Sequence, residues 1–539
     1  MIWTEQGESA AVSSGSAAPL ASQACAGLAP ARFAALFALC FLIAAVPILC
    51  VGNLPLVDWP NHMARMHIIA AATASPALAE AYAIVWRPIP DLAMDAIVPL
   101  LARIMPLAWA GKAFLLLTFL LLAGGTAALH RVLFQRWSAW ACLAFLLLYN
   151  RALLWGFGNF LFGTGLALVA FALWVHLRRR AAPARHFLAA LFASAIYLSH
   201  LFAFGAYALM ILGYELGLWR ERGAESGRSR LRALAAAGAQ FILPVALFLA
   251  AGHSGGSGPI LYSRFVRKFD IAFSIVDNYV PWFDVASFLL LALLFVLGGW
   301  RRMVKLHPAM TAPLLLLLAA QIAMPNRIFG AAGVDHRMPL ILAILLIAAT
   351  KAQVRLPFRR VIAGGLALLF VARIAVVAAV WTADERALAP LAAALTHVPK
   401  GSRVAVAYAP DAIHVPRRGP PVAHIAALAV IAADAFVPTL FADPGQQPLR
   451  LRPRYAALAS LASPGEFWDV LVAGRSDPGG RVGRALAQYD YVLFAGGGPF
   501  APLPSAPLVF RAAGPGAKLF AIDRGAAQIR GGGALTIGG

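Results

Sequence analysis

About eleven stretches of apolar residues recur along the first 381 residues of this chain, and they constrain its fold more than any other feature. Hydrophobic residues make up 61% of the 539 residues and charged residues only 13%, more apolar side chain than a soluble protein of this size can bury. The sequence therefore predicts a polytopic α-helical membrane protein with about eleven transmembrane helices. The predicted segments are 33–51, 109–129, 138–149, 160–175, 187–199, 201–218, 233–251, 285–300, 309–324, 338–350 and 361–381.

Several of these segments are shorter than the roughly 20 residues that an α-helix needs to cross a bilayer perpendicularly. The segments concerned include 138–149, 160–175, 187–199 and 201–218. Either their flanks extend them, or they form re-entrant or broken helices, which membrane proteins tolerate where such helices line a cavity. The sequence leaves open whether these four segments span fully.

The positive charge of the chain, a formal net charge of +22, is concentrated in short loops between the apolar stretches. The basic loops are every second one, namely 130–137, 176–186, 219–232, 301–307 and 351–360. Because cytoplasmic loops are enriched in Lys and Arg, these loops are predicted to face the cytoplasm. The charge then indicates contact with a lipid bilayer and not with nucleic acid. The Arg- and Ala-rich composition suggests a bacterial inner membrane protein, with residues 1–32 forming a disordered cytoplasmic N-terminus.

The composition changes after the last apolar stretch, which ends the predicted membrane domain of residues 33–381. Residues 382–530 are rich in Pro and Gly, with β-like runs at 403–409, 489–496 and 517–522. This pattern predicts a soluble α/β domain of about 150 residues, a common domain size. Eleven crossings from a cytoplasmic N-terminus place this domain in the periplasm. The glycine-rich tail 531–539 is predicted to be disordered.

The long loop 52–108 falls on the same predicted periplasmic side and opens with "VDWPNHMAR". Pro60 suits the first turn of a helix, capped by Asp58 or Trp59. On that helix Asp58, His62 and Arg65 are neighbours at i, i+4 and i+7. A second helix is predicted over 90–104, with Asp91 and Asp95 one turn apart and facing water. We expect both helices to be amphipathic and to lie on the membrane surface.

Other polar residues lie at the predicted outer ends of membrane segments. Ionisable residues at membrane depth often have a function, and positive charge on the outer side departs from the topology rule. A structural role is the alternative: an interfacial histidine for His200, a solvated amphipathic helix for the segment of Arg264 and Lys268, and an ion pair with the C-terminal domain for residues 335–337. The candidates for substrate or phosphate binding are His200, Arg264, Lys268, Asp335, His336, Arg337 and Arg373, together with Arg65.

The architecture of residues 33–381 and the motif "VDWPNHMAR" resemble the GT-C class of integral membrane glycosyltransferases. In that class an acidic residue of the first outer loop is the general base towards the acceptor, and the donor is a polyprenyl-phosphate sugar. The resemblance implies that Asp58 is the base, with His62 as its neighbour, but it identifies no subfamily. Trp59 stands where many members have a second acidic residue, which puts a directly paired metal site in doubt.

A positioned carboxylate that takes the proton of a sugar hydroxyl accelerates transfer by ~10²–10⁴-fold, and cations stabilise the departing lipid phosphate. The first hypothesis is therefore an enzyme that transfers a sugar to a periplasmic glycan, lipid or protein. The alternatives are a transporter or flippase of an envelope lipid or saccharide, and a non-catalytic envelope scaffold. No cofactor is predicted and no metal ligands are assigned, because no histidine–carboxylate spacing marks a metal site; a divalent metal stays possible.

Overall fold

The structure is a computed structural model that describes residues 27–179, 182–221, 227–251, 259–328, 332–354, 356–410, 412, 420–496 and 498–523. Residues 1–26 of the predicted N-terminal segment and the tail 531–539 lie outside the described residues. The helices of the first half are α1 Pro30–Cys50, α2 Trp59–Ala71, α3 Pro76–Ala81, α4 Ala93–Leu101, α5 Leu107–Phe134, α6 Arg151–Trp155, α7 Gly158–His176, α8 Ala182–Ser199, α9 Leu201–Glu221, α10 Gly227–Gly238 and α11 Ile242–Ala250.

The remaining helices and the strands complete the described fold. The helices are α12 Arg267–Ala272, α13 Pro281–Trp300, α14 Thr311–Ala323, α15 Met338–Ala349, α16 Leu356–Leu395, α17 Leu428–Ala433, α18 Pro453–Ser460, α19 Pro464–Leu471 and α20 Arg481–Leu486. The strands are β1 Tyr82–Ile84, β2 Val304–Leu306, β3 Thr350–Ala352, β4 Val404–Tyr408, β5 Leu449–Leu451, β6 Tyr491–Ala495, β7 Leu508–Gly514 and β8 Ala517–Ile522.

Within the described residues, seven helical segments are long and apolar enough to cross a membrane. They are α1, α5, α7, α9, the continuous stretch of α10 and α11, α13 and α16. Three other predicted segments form shorter apolar helices, over Ala139–Trp155, Pro308–Ala323 and Met338–Ala349. The polytopic helical class is therefore confirmed, whereas the count of about eleven crossings stays a prediction.

The predicted segment 138–149 is not a regular α-helix. Residues Ala139–Leu147 form a 3₁₀ helix, and the chain then turns into the short helix α6. Asn150 makes this turn: its Oδ1 accepts from Leu153 N at 3.1 Å while its Nδ2 donates to Leu147 O at 2.7 Å. Asparagine at a helix N-cap satisfies backbone groups that a helix start leaves unpaired. Asn150 thus stabilises a bend of the backbone between the 3₁₀ helix and α6, beside the first loop.

Small residues allow the membrane helices to approach each other closely. A Cβ added at Gly165 of α7 would lie 2.6 Å from Leu121 Cβ of α5. A Cβ at Gly213 of α9 would lie 2.5 Å from Pro313 of α14. Helices inside membranes pack through such positions, since no hydrophobic effect drives them together there. The structural role predicted for the glycines of 149–165 is confirmed at Gly165.

The outer faces of several of these helices carry large apolar side chains that are mostly exposed. Leu42 is 64% exposed, Leu249 64%, Val296 67% and Leu368 71%. Exposed apolar surface spread over this many long helices has an obvious partner in the hydrocarbon of a bilayer. The exposure pattern therefore agrees with the membrane placement that the sequence predicts.

The C-terminal domain is an α/β domain, as predicted. Among the described residues its sheet has the order β4-β6-β8-β7, with β4 and β6 parallel and the other pairs antiparallel. The three strands expected at 403–409, 489–496 and 517–522 are β4, β6 and β8. Strand β7 was not predicted, because it is an edge strand whose side chains are mostly exposed and show no clean alternation. The proposed domain boundary at 381/382 falls inside α16, which runs on to Leu395.

The first loop is joined to the C-terminal domain instead of lying free on the membrane surface. Strand β1 of the loop pairs antiparallel with β5 of the domain, from Tyr82↔Leu451 to Ile84↔Leu449. Ala64 and Ile68 of α2 belong to the same buried cluster as the core of the domain. The expectation that both loop helices lie on the membrane surface is therefore wrong for α2, and the loop and the domain lie on one side of the membrane.

Candidate active site

Asp58 lies where the membrane domain, the first loop and the C-terminal domain meet. Two backbone hydrogen bonds fix its position: Val57 N donates to Leu154 O at 2.9 Å, and Asp58 N donates to Trp155 O at 3.1 Å. Gly156 permits this close approach, because it has a φ of +94° and an added Cβ would lie 2.9 Å from Asp58 Cβ. The bend after α6 thus holds the start of α2 rigidly.

The Asp58 side chain does not cap α2. It precedes the helix with φ −86° and ψ −5°, and it accepts no capping hydrogen bond from the helix's first turn. Instead Asp58 Oδ1 lies 3.4 Å from His424 Nε2 of the C-terminal domain, and 19% of the Asp58 side chain is accessible. The carboxylate is therefore held in place yet open to a ligand.

His62 lies one turn after Asp58, and its backbone N donates to Asp58 O at 3.0 Å. Burial lowers the pKa of His62 well below 6.5, the charges of Arg65 and His424 lower it further, and a backbone hydrogen bond at Gly156 opposes them. Its Nδ1 is buried and has no hydrogen-bond partner within the described residues. The ring is thus neutral and keeps one buried polar atom unsatisfied.

Arg65 is engaged in a buried ion pair. Its Nε donates to Asp95 Oδ1 at 2.6 Å and its Nη2 to Asp95 Oδ2 at 3.0 Å. The side chains are 1% and 0% exposed respectively, so the expectation that Asp95 faces water is wrong. A bidentate guanidinium–carboxylate pair is among the strongest polar contacts and satisfies most of both groups. Arg65 therefore ties α2 to α4.

Asp91 does not lie on a helix, in contrast to the prediction, because α4 begins at Ala93. Its φ is +71°, and Asn159 Nδ2 donates to its backbone O at 2.6 Å. His200 Nδ1 accepts from Phe202 N at 3.0 Å, which leaves the proton of a neutral ring on Nε2, 3.6 Å from Asp91 Oδ1. Burial raises the pKa of Asp91 to about 7, although Arg337 and Arg65 oppose the shift.

Arg337 lies at the start of α15, and only 8% of the residue is exposed. Burial lowers its pKa to about 10, while the carboxylates of Asp91, Asp58 and Asp335 oppose that shift. Its guanidinium lies 4.3 Å from the ring centre of Phe157, and its Nη1 donates to Gly333 O at 3.3 Å. Its Nε is buried without a partner among the described residues. Arg337 therefore brings a cation with spare hydrogen-bonding capacity to this cluster.

The other outer-side candidates have different surroundings. Lys268 Nζ lies 2.9 Å from Asp335 Oδ2, and Asn326 Nδ2 donates to Asp335 Oδ1 at 3.0 Å. The Asp335 side chain is fully buried, so this is a structural ion pair, but its partner is Lys268 of the outer loop and not the C-terminal domain. Arg264 is exposed to solvent. The His336 ring packs against Trp155 at 4.9 Å between ring centres, on the bend that holds Asp58.

Arg373 is buried inside α16 and faces other polar groups. Its Nη1 donates to Asp284 Oδ1 at 2.9 Å and to Ser287 Oγ at 3.1 Å. An ionisable group inside a membrane domain needs such partners, because an unpaired charge is costly there. These partners belong to α13, so Arg373 joins two membrane helices and makes no described contact with Asp58.

Three residues of this site escaped the sequence analysis: Asn61, His424 and Phe441. Asn61 is fully buried; its Oδ1 accepts from Phe441 N at 2.8 Å and its Nδ2 donates to Thr439 O at 3.1 Å. Phe441 packs on both histidine rings, at 5.7 Å from His62 and 4.9 Å from His424. Asn61 could have been recognised as a candidate from its place in the motif "WPNHM". No local sequence pattern distinguishes His424 as a site residue.

An open cavity of about 620 Å³ adjoins this site on the C-terminal domain. Phe441 forms part of its wall, together with Asp443, Gln446, Gln447 and Arg450. Phe441 also packs on His62 and His424, so one side chain links the cavity wall to the histidines of the site. The cavity lies on the C-terminal domain and its lining combines apolar and polar side chains.

No group of three or more His, Cys, Asp or Glu side chains in the described ranges is arranged to hold a metal ion.

Two carboxylates, Asp58 and Asp91, act on the same guanidinium of Arg337. Each also has a histidine as its nearest ionisable neighbour, His424 and His200 respectively.

No protein-family model matches the chain, and no curated protein matches it. Among solved structures, the crystal structure of ArnT from Cupriavidus metallidurans in the apo state is similar to it. The TM-score is 0.52 at 13% sequence identity, and the likeness covers 92% of this chain and 99% of that chain. ArnT is a GT-C glycosyltransferase. The chain has the GT-C fold.

The GT-C resemblance inferred from residues 33–381 and "VDWPNHMAR" is thus confirmed at the level of the fold. The likeness extends over the C-terminal domain as well, since it covers nearly the whole chain. At this identity it speaks for the fold alone. The chemistry of this chain therefore has to be argued from its own residues.

Proposed function

We propose that this protein is a GT-C-type membrane glycosyltransferase that moves a sugar from a polyprenyl-phosphate donor to an acceptor on the periplasmic side of a bacterial inner membrane. The observation that carries the proposal is the state of Asp58. Hydrogen bonds fix the backbone at Asp58, and its carboxylate caps no helix and stays 19% accessible where membrane domain and C-terminal domain meet. An accessible carboxylate with no structural task is a candidate general base.

The reaction follows from the groups around Asp58. An acceptor hydroxyl gives its proton to the Asp58 carboxylate while its oxygen bonds to the anomeric carbon of the sugar. The bond between that carbon and the phosphate oxygen breaks, and the lipid phosphate leaves with the electron pair. A carboxylate placed for this proton transfer supplies typically ~10²–10⁴-fold in rate.

Arg337 is the cation best suited to the departing phosphate. Its Nε has no partner among the described residues, and its charge lies near Asp58. Asp335, one of the carboxylates near Arg337, is already paired with Lys268. Asp335 therefore neutralises less of the Arg337 charge, and more of that charge is available to a bound phosphate. A preorganised guanidinium stabilises the growing charge of a leaving phosphate without reorganisation. The acceptor would approach through the cavity beside Phe441.

The test is transfer by the purified full-length protein in lipid nanodiscs. The donors are undecaprenyl phosphates carrying radiolabelled pentoses or hexoses, and the acceptors are extracted bacterial envelope lipids and glycans. Asp58→Asn keeps the shape and removes the base, so transfer should fall about 10²–10⁴-fold. The control, Asp270→Asn, changes an exposed aspartate of α12 and should transfer normally.

Two outcomes would contradict the proposal. If Asp58→Asn transfers sugar as fast as the unaltered protein, Asp58 is not the general base. Movement of the intact donor across the bilayer without cleavage of its sugar–phosphate bond would show that the protein is a transporter and not a glycosyltransferase.

A further inference from the structure

The C-terminal domain supplies a side chain to the Asp58 site. His424 precedes the 3₁₀ turn Ile425–Ala427, which leads into α17, and α17 packs on α2. Its ring contacts three groups: Asp58 Oδ1 at 3.4 Å, Asn61 Nδ2 at 3.3 Å and the Phe441 ring at 4.9 Å. A histidine between an asparagine and a carboxylate has its two nitrogens in different roles, and the neighbours decide which nitrogen holds the proton.

The orientation of the Asn61 amide is fixed by the backbone. Phe441 N donates to Asn61 Oδ1 at 2.8 Å, and Asn61 Nδ2 donates to Thr439 O at 3.1 Å. The reversed amide would set its NH₂ group against a backbone N–H and its oxygen against a backbone carbonyl. Both contacts would be repulsive, so only the observed orientation satisfies this buried residue.

The fixed amide in turn fixes the tautomer of His424. The second hydrogen of Asn61 Nδ2 is directed to His424 Nδ1, 3.3 Å away, so Nδ1 accepts. In a neutral imidazole the proton then resides on Nε2, the nitrogen 3.4 Å from Asp58 Oδ1. The loop 439–441 of the C-terminal domain therefore determines, through Asn61, which hydrogen-bonding group meets the carboxylate.

We propose that His424 is a positioning residue that orients the Asp58 carboxylate through its Nε2–H, so that the C-terminal domain completes the active site. This inference rests on the proposed role of Asp58. The 3.4 Å separation is long for a hydrogen bond, and such contacts shorten when substrate closes a site. One carboxylate oxygen is then held by the imidazole, and the other is free to take the acceptor's proton.

The variants separate hydrogen bonding from packing. His424→Phe keeps a ring against Phe441 and removes the donor, whereas His424→Gln keeps an N–H donor near the position of Nε2. In the transfer assay His424→Phe should lower kcat about 10- to 100-fold with an unchanged KM for the donor, the range expected for a hydrogen bond to a charged group. His424→Gln should restore kcat to within about threefold of the unaltered protein.

The matched control is His67→Phe. His67 Nε2 lies 2.7 Å from Asp434 Oδ1, so it joins the same loop to the same domain without touching Asp58. If His67→Phe lowers kcat as much as His424→Phe does, any contact between the first loop and the C-terminal domain affects kcat. That result would overturn the specific role proposed for His424. An unchanged kcat in His424→Phe, or a change in KM alone, would overturn it as well.

The tautomer is measurable without any substrate. In the full-length protein labelled with ¹⁵N-histidine, the signal lost in His424→Gln belongs to His424, and it should report a proton on Nε2 and an accepting Nδ1. Asn61→Asp should move that proton to Nδ1, because a carboxylate accepts where the amide donated. A proton on Nδ1 in the unaltered protein would refute the inference.

The two claims fail separately. If Asp58→Asn keeps full transfer activity, the proposed function is wrong, whatever His424 does. If Asp58→Asn is inactive while His424→Phe is fully active, only the role of His424 is wrong.

Discussion

At the scale of single residues, the site brings histidines close to carboxylates, His424 to Asp58 and His200 to Asp91. His62 is held neutral by burial, which lowers its pKa well below 6.5, and its Nδ1 is left without a partner in the described structure. The unfolded chain protonates this histidine readily below pH 6.5, whereas the folded protein does not. Folding therefore excludes a proton in that range, and the stability of the protein falls as the pH drops below 6.5.

Replacing His62 should reduce this acid sensitivity. A histidine that stays neutral only when folded costs up to about 1.4 kcal/mol for each pH unit below 6.5. In thermal unfolding of the detergent-solubilised protein, His62→Gln should therefore lose less Tm between pH 7 and pH 5 than the unaltered chain. The exposed His397 gives the control, since His397→Gln should leave the pH dependence unchanged. A pH dependence in His62→Gln as steep as that of the unaltered protein would contradict the buried, neutral ring.

The sequence located Asp58 correctly at the loop entrance but misjudged several partners. Periodicity predicts which residues share a helix face, so Asp58 and His62 were found together. It contains no information on residues brought in from afar, and His424 lies more than 360 positions away. Asp91 was expected on a helix because its spacing to Asp95 fits one turn, but the backbone at Asp91 is left-handed and the helix begins later.

At the scale of elements, the membrane helices were predicted well where they are long and apolar. The sequence left open whether 138–149 spans, and the 3₁₀ form of Ala139–Leu147 was not foreseen, because apolar composition alone does not specify the type of helix. The sequence predicted that membrane helices pack closely at small residues, but not which helices are in contact. The glycine-rich stretch around Gly165 indicated close packing, but its partner Leu121 on α5 became evident only in the structure.

Close packing at Gly165 predicts opposite effects for two glycine-to-alanine changes. Alanine favours a helix over glycine by about 1 kcal/mol, and at Gly364 of α16 an added Cβ meets nothing within 4 Å. Gly364→Ala should therefore keep or raise Tm. Gly165→Ala forces a Cβ to 2.6 Å from Leu121 Cβ, and we expect a net loss of about 1–3 kcal/mol. Equal Tm values for the two variants in detergent would show that α5 and α7 are not this close.

At the scale of the whole molecule, the C-terminal domain is part of the site and not an appendage. The sequence predicted an α/β domain after residue 381 but gave no indication that β1 of the first loop pairs with β5 of the domain. Short strands of three residues carry too little pattern to be recognised, and pairing partners far apart in sequence are not visible in local composition. The consequence is that membrane domain and C-terminal domain share one junction, at which Asp58 lies.

The proposed function requires this junction to bind the lipid phosphate of the donor next to Asp58. The most direct measurement is a cryo-electron microscopy structure of the full chain in nanodiscs with undecaprenyl phosphate bound. We expect the phosphate within hydrogen-bonding distance of the Arg337 guanidinium, with its free oxygen directed towards Asp58. Phosphate bound instead at the basic loops 301–307 or 351–360, with the junction empty, would contradict it.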